Sequence, residues 1–447
     1  MMVIEKYQNK IGSAAPLAVF RCFFGLMLLG GIIRFWSNGW IKSLYIDPKF
    51  YFTFYGFDWV EPIGEYTYLL FFICGLSAFL VAIGLWYRLA SIVLFTSFTY
   101  IELIDKSVYL NHYYFISLMC LLLIFLPAQV YFSIDTILKP KIRAQNIPQW
   151  NMDVLKLMMA ILYFYAGLAK VNSDWLMEAL PLKIWLPARN DMPIIGSLFN
   201  HTWIAYLFSW FGCIFDLAIP FLLWNKLTRP YAYMAVIIFH VFTALLFPIG
   251  MFPYIMIVSA LIFFPASFHQ GIINWISRWF KPKNNNINSF TRSEPKMKIY
   301  FFLAFFAFQL LFPFRYMCYP GELFWTEEGY RFSWRVMLME KAGYAQFIVK
   351  DAKGKQESVN NSEFLSPLQE KMMSTQADML LQYAHILSKH YAQLGFINPE
   401  VYVDSYVALN GRLGKPLVSK QTNLAKEIDS FKPKTWIQPL NDEIKGF

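Results

Sequence analysis

The chain has 447 residues, 57% of them hydrophobic and only 15% charged, with a mean hydropathy of +0.39. Soluble domains carry about 25% charged residues, so a soluble globular protein is excluded and a polytopic membrane protein is expected. The net charge of +10 does not mark a nucleic-acid binder. Its basic residues gather in links beside apolar runs, where they set membrane orientation.

In chain order, the opening residues mix Glu5, Lys6 and Lys10 with polar side chains. The first apolar run, roughly 15–36, is long and is not followed by a small-residue cleavage site. It is expected to remain as a membrane helix rather than be removed as a signal peptide. A bilayer core needs about 20 apolar residues per helix, and further runs near 66–87, 89–104, 113–132, 153–170, 204–224, 230–247, 250–265 and 298–314 bring the expected count to about nine. Trp275 and Trp279 suggest an interfacial amphipathic segment, and Asn284-Asn285-Asn286 reads as a flexible link.

Charge tests that count. With the N-terminus in the cytoplasm, Arg88, Lys139, Lys141, Arg143, Lys226, Arg229 and the basic link from Arg278 to Lys298 all fall inside. The acidic loops 37–65 and 171–203 fall outside, as do residues 315–447. The fold class expected is an all-α polytopic membrane bundle over residues 1–314, followed by a smaller α+β, strand-containing extracytoplasmic domain over residues 315–447. In that domain, Arg331 to Met339, Tyr344 to Val349 and Val401 to Leu409 read as strands, with a turn at Asp351 to Lys355. Pro367 to Leu394 reads as a helix, with Met379, Leu380, Tyr383 and Leu387 at helical spacing.

Ionisable residues at membrane depth are costly and mark functional candidates. Three polar islands stand out: Asp105 to Tyr113, Ala166 to Trp175, and His240 with the turn at Pro248-Ile249-Gly250. The topology puts all three toward one side. Lys170 is either a lysine snorkelling to the interface or a buried amine whose desolvation favours the neutral, basic form. His112 is either an interfacial hydrogen-bonding residue or part of a site. His240 is either a satisfied core histidine or a ligand contact. Asp216 cannot face lipid cheaply and needs a hydrogen-bonding or charged partner, and Arg21 is a candidate. Cys22, Cys74, Cys120 and Cys213 lie inside apolar runs and Cys318 outside one. None has metal-ligand spacing, so no metal site is expected. A pocket of this kind suits a lipid-soluble ligand meeting a polar partner.

At these residues the chain resembles the vitamin K-dependent γ-glutamyl carboxylases, whose membrane part is called the horizontally transferred transmembrane domain. The resemblance rests on Leu17 to Arg21, Asp105-Lys106 through Asn111-His112, and Tyr163 through Gly167 with Lys170 and Asp174-Trp175. It continues with Phe239-His240, Leu246 through Phe252, Tyr330 through Trp334, Ala377 through Ala384 and Trp436 through Leu440. It implies that reduced vitamin K is oxidised by O2 to its epoxide while a peptide glutamate loses a γ-proton and takes up CO2. No side chain is basic enough for that proton, since arginine stays protonated and lysine, the strongest side-chain base otherwise, reaches only about 10.4, so the cofactor must supply the base.

The same resemblance implies roles. Lys170 would deprotonate the hydroquinone, and His112 would assist at the glutamate carbanion and CO2. Asn111 would hydrogen-bond the quinone oxygen, and His240 would help hold the quinone. Trp334, with Lys341 nearby, would seat the glutamate of a peptide or protein substrate. The paired lysines of the family appear here as Ala169-Lys170. Met339 and Lys341 stand where animal members carry His and Arg, and loop 37–65 lacks the cysteine of their disulfide. Membrane lipids are expected partners, and a bacterial inner membrane is expected rather than the endoplasmic reticulum, though both fit. The alternative is a relative that oxidises quinol or handles quinone or lipid without carboxylating glutamate. A transporter would have no reason to keep Lys170, Asn111, His112 and His240 together.

Overall fold

The computed structural model describes Tyr7, residues 9–280 and residues 296–447. The Asn284-Asn285-Asn286 link lies outside the described residues. Lipid offers no hydrogen-bond partners, so each apolar run must satisfy its own backbone as a helix. The main helices are α1 (Ala15–Ser37), α2 (Thr67–Ile83), α3 (Tyr87–Ile104), α4 (Asn111–Phe125), α5 (Trp150–Leu168), α6 (Thr202–Trp224), α7 (Arg229–Leu246), α8 (Phe252–Ala260), α9 (Ala266–Phe280) and α10 (Lys296–Leu311). A ladder of β1 (Ile11–Ser13) and β2 (Asn146–Pro148) ties the start of α1 to the start of α5.

Among the described residues, seven helices are long and apolar enough to cross a membrane, and a bent pair makes up to eight. The protein is therefore a multi-pass membrane protein, with a lower count than the sequence-based figure of about nine. Two prolines account for the difference. A proline pushes the residue before it out of the helical region. Leu126, ahead of Pro127, takes ψ 144° and stops α4 at 15 residues, well short of residue 132. Phe264, ahead of Pro265, takes ψ 157°. The chain turns there through 112° into α9. Trp275 and Trp279 are exposed on α9, as an interfacial helix requires.

Arg21 is fully buried in α1. Its guanidinium donates to the carbonyls of Val81 (2.8 Å), Ala82 (3.0 Å) and Phe132. Helix ends leave carbonyls unpaired, and Arg21 satisfies those at the end of α2. It is therefore not the partner of Asp216.

The outer part is a four-stranded antiparallel sheet in the order β4-β3-β5-β6, built from β3 (Lys341–Lys350), β4 (Gln356–Ser358), β5 (Glu400–Leu409) and β6 (Lys415–Pro416). Alternate residues of β5 are buried, the period of two that a one-sided sheet demands. Two helices cover it, α11 (Pro367–Met373) and α12 (Ala377–Gln393). The single helix expected from Pro367 to Leu394 is broken at Gln376, which is extended at ψ 115°. Met379, Leu380, Tyr383 and Leu387 are all buried against the sheet residues Phe347, Val401 and Val403.

The stretch 331–339, expected as a strand, is irregular. Phe332, Trp334 and Met337 take positive φ values of 58°, 61° and 52°, which L side chains adopt only under constraint. The constraint is visible: Phe332 packs edge-on against Tyr109 (4.9 Å), and Trp334 stacks on Tyr114 (4.9 Å). Contacts with the membrane bundle override the local strand preference.

The outer part is docked by buried ionic contacts at two loops. Lys106 Nζ reaches Asp378 Oδ2 (2.8 Å), which also receives Arg331 Nη1 (2.8 Å). Gln369 Nε2 donates to Asp105 Oδ2 (2.8 Å). At the second loop, Arg412 grips Asp174 with Nη1 and Nη2 at 2.7 Å each, and Asn410 donates to the same carboxylate. Burial opposes the ionisation of Asp378, but Arg331 and Lys106 together outweigh it and hold its carboxyl well below the usual carboxylate range.

Candidate active site

The site forms where α5 meets α6. Gly167 lets the two helices touch: a Cβ there would lie 2.8 Å from the Leu217 backbone nitrogen. Small residues at such crossings bring backbones together. One turn further on, Lys170 faces the neighbour of Leu217, which is Asp216. Lys170 Nζ donates to Asp216 Oδ2 at 2.8 Å and to the Ala166 carbonyl at 3.0 Å, and it lies 5.3 Å from the Trp175 ring centroid. Both side chains are buried. Lys170 therefore does not snorkel. An ion-pairing aspartate at matching depth was the signal available, but the pairing of α5 with α6 could not be read from one sequence.

Lys170 and Asp216 line a cavity of about 90 Å³, walled by aromatic and aliphatic side chains including Phe208, Phe239 and Phe252. His240 lines the same cavity from α7. Its Nε2 shares a hydrogen bond of 2.8 Å with the Tyr163 hydroxyl. Its Nδ1 is buried without a partner. Tyr163 opens one of the stretches that carry the family resemblance, yet the sequence assigns it no role, because nothing in its local context distinguishes it from other membrane tyrosines.

His112 is buried at the start of α4, next to this cavity but not in its lining. Phe252 stands between the two histidines, with ring centroids 5.9 Å from His112 and 5.6 Å from His240. The turn glycine, Gly250, takes φ +63°, and a Cβ there would lie 3.9 Å from His112 Nε2. The three polar islands thus meet. Asn111 Nδ2 donates to the Arg335 carbonyl (2.8 Å), and its Oδ1 accepts from the Tyr109 hydroxyl (3.1 Å). This anchors the outer segment over the start of α4, and Val336 and Met337 close the cavity from above.

Asn111 does not line the cavity, and Trp334 and Lys341 lie elsewhere as well. Trp334 is fully buried against Tyr114, and its Nε1 has no partner. Lys341 Nζ is held by Glu327 Oε1 at 2.7 Å and by the Trp325 carbonyl at 2.9 Å. Burial pulls the Lys341 ammonium below the ordinary lysine value, with Glu327 opposing that shift. Asp105 and Lys106, whose role the sequence left open, serve the docking contacts.

The HTTM domain family matches residues 9–268, and the lumenal domain of vitamin K-dependent gamma-carboxylase matches residues 294–443. No solved structure matches the chain. With both parts matched in order along nearly its whole length, the chain belongs to the vitamin K-dependent carboxylase family.

Proposed function

We propose that this protein carboxylates peptide glutamate to γ-carboxyglutamate while oxidising reduced vitamin K to its epoxide, with O2 and CO2 as co-substrates. The observation that carries the reading is the buried Lys170–Asp216 pair on the wall of an otherwise apolar cavity. An apolar slot with a few convergent polar groups is what a quinone ring requires. His240 Nδ1, buried and unpaired, is an atom that a quinone oxygen would satisfy. At about 90 Å³ the cavity is smaller than the several hundred Å³ of most ligand pockets. A bicyclic ring therefore enters by displacing wall side chains, and displacement of Phe252 also joins the cavity to His112.

When bound, reduced vitamin K supplies with O2 a base strong enough to take the γ-proton of glutamate. The chain's own residues bind, orient and manage protons. Lys170 Nζ, in its neutral amine form, accepts the hydroquinone proton, and the ammonium so formed completes the ion pair with the Asp216 carboxylate 2.8 Å away. His240, set by Tyr163, orients the ring. Asn111, through the Arg335 carbonyl, holds residues 335–337 as a roof that excludes water. His112 serves the glutamate side.

The test incubates purified protein with reduced vitamin K, O2, labelled CO2 and a glutamyl peptide, reading epoxide and peptide label separately. Both products are expected. Neither product from folded protein that binds quinone would sink the reading. Replacement of His112 by alanine is expected to lower carboxylation by roughly 10²–10⁴-fold, with hydroquinone oxidation reduced far less. Equal losses in both would remove the assigned division of labour. The second reading, hydroquinone oxidation without carboxylation, is favoured by one observation: Lys341 is already engaged by Glu327 and offers no free cation for a glutamate.

The proposed orientation places the N-terminus in the cytoplasm and the outer domain across the membrane. Cys318 is exposed, and Leu227, in the link between α6 and α7, is 83% exposed. A membrane-impermeant thiol reagent is expected to label Cys318 from outside, and L227C in a Cys318→Ser background only after the membrane is opened. The reverse pattern would invert the topology.

A further inference from the structure

The turn after α7 is pressed against the end of α1. Gly31 makes room for it: a Cβ there would lie 2.5 Å from Met251 Sδ. Gly250, in the turn itself, holds a left-handed backbone that glycine adopts freely. The position of its absent Cβ is 3.9 Å from His112 Nε2 and 3.9 Å from Arg34 Nη1. The two nitrogens are therefore no more than twice that distance apart. Beyond the glycine and its chain neighbours, no other atom of the described residues comes within 4 Å of that point. A gap thus separates a guanidinium from the histidine assigned to the glutamate side.

Arg34 is exposed in the last turn of α1. The helix dipole favours a cation there, but the guanidinium does not cap the helix. The Arg34 carbonyl accepts from Asn38 N (3.1 Å) and Asn38 Nδ2 (2.8 Å), and the Trp36 carbonyl from Gly39 N (3.1 Å). The guanidinium lies over the Trp40 ring, 4.8 Å from its centroid. That contact uses the face of the group and leaves its N–H edges for an anion. Among the described residues no carboxylate pairs with it. His112 is likewise without a hydrogen-bond partner among the described residues, and neither of its ring nitrogens is sealed in as His240 Nδ1 is.

We infer that Arg34 binds the γ-carboxylate of the reacting glutamate and holds it against His112. The inference rests on the carboxylase reading for the identity of the ligand. A carboxylate bridges a gap of this size with one hydrogen bond of about 2.8 Å on each side. When the γ-proton leaves to the base that the cofactor supplies, its electron pair stays on the substrate and spreads onto the same oxygens. The guanidinium therefore attracts the reacting form more strongly than the resting peptide. Arg34 is the free cation that Lys341, held by Glu327, is not.

The test measures equilibrium binding, so it does not depend on turnover. Full-length protein in an uncharged detergent without phospholipid is titrated with two fluorescent peptides, one carrying the glutamate and one with glutamine in its place. The glutamyl peptide is expected to bind about tenfold more tightly or better, the scale of a charge-assisted hydrogen bond. That advantage is expected to vanish in R34Q and to be only partly kept in R34K, which preserves the charge but not the planar group. Equal affinity of the two peptides for the natural protein overturns the proposal without need of any variant. A glutamate preference undiminished in R34Q overturns it too, and leaves the guanidinium to lipid phosphates at the membrane surface. A preference that R34Q abolishes, in protein that forms no labelled product, upholds the site and defeats the carboxylase reading instead.

Discussion

Replacing Lys170 by alanine is expected to lower hydroquinone oxidation by roughly 10²–10⁴-fold, the usual share of a positioned general base, and carboxylation must fall with it. The same change strands Asp216, whose side chain is only 7% exposed. Removing one member of a buried pair typically destabilises by about 3–5 kcal/mol, whereas replacing both members with apolar residues is often neutral. The two effects can therefore be separated. K170M/D216L should unfold close to the temperature of the natural protein yet remain inactive, and K170A should be both inactive and less stable. Asp216→Asn should retain the hydrogen bond geometry and lose most of the oxidation rate. Substantial hydroquinone oxidation by the stable double variant would reduce the pair to a structural ion pair.

The second large effect is expected at Asp378. It accepts from Lys106 on a loop of the membrane bundle and from Arg331 at the edge of the roof segment. Its place in the first turn of α12 also sets it against the positive end of the helix. Asp378→Asn keeps the shape and leaves two buried cations facing each other, at an expected cost of about 3–5 kcal/mol. Residues 330–337 should then become sensitive to limited proteolysis. The folded carboxyl ionises below the ordinary aspartate value of about 3.9, so its contribution is complete above that value and declines as pH falls below it. Melting temperatures of the natural and D378N proteins should accordingly differ at pH 6 and converge in acid. Identical melting curves at pH 6 would show that this junction does not hold the two parts together.

What the sequence made legible follows from periodicity and solvent physics. Seven long apolar helices, the alternation of Val401 to Leu409 and the helical spacing of Met379, Leu380, Tyr383 and Leu387 depend on local pattern, and the structure keeps them. Features set by neighbours distant in the chain were hidden. The partner of Asp216 is decided by the close approach at Gly167, which α6 meets only in the folded bundle. Trp334 reads as a strand residue, yet its stacking on Tyr114 imposes a positive φ. Within the site, residue types were readable but not their company. Lys170 and His240 share a cavity, His112 stands behind Phe252, and Lys341 is bound to Glu327.

The early stop of α4 has a consequence for how the protein sits in lipid. Its 15 residues span about 22 Å at 1.5 Å per residue, against a hydrocarbon core of about 30 Å. A helix this short beside full-length neighbours makes a recess in the bundle, with any remaining hydrophobic mismatch met by local thinning of the bilayer. That recess lies at the Phe125 end of α4, whereas Phe332 and Trp334 pack against Tyr114 in the first turn, at the opposite end. His112, in that first turn, is buried by its packing against Tyr113 and Phe252 and owes nothing to the early stop.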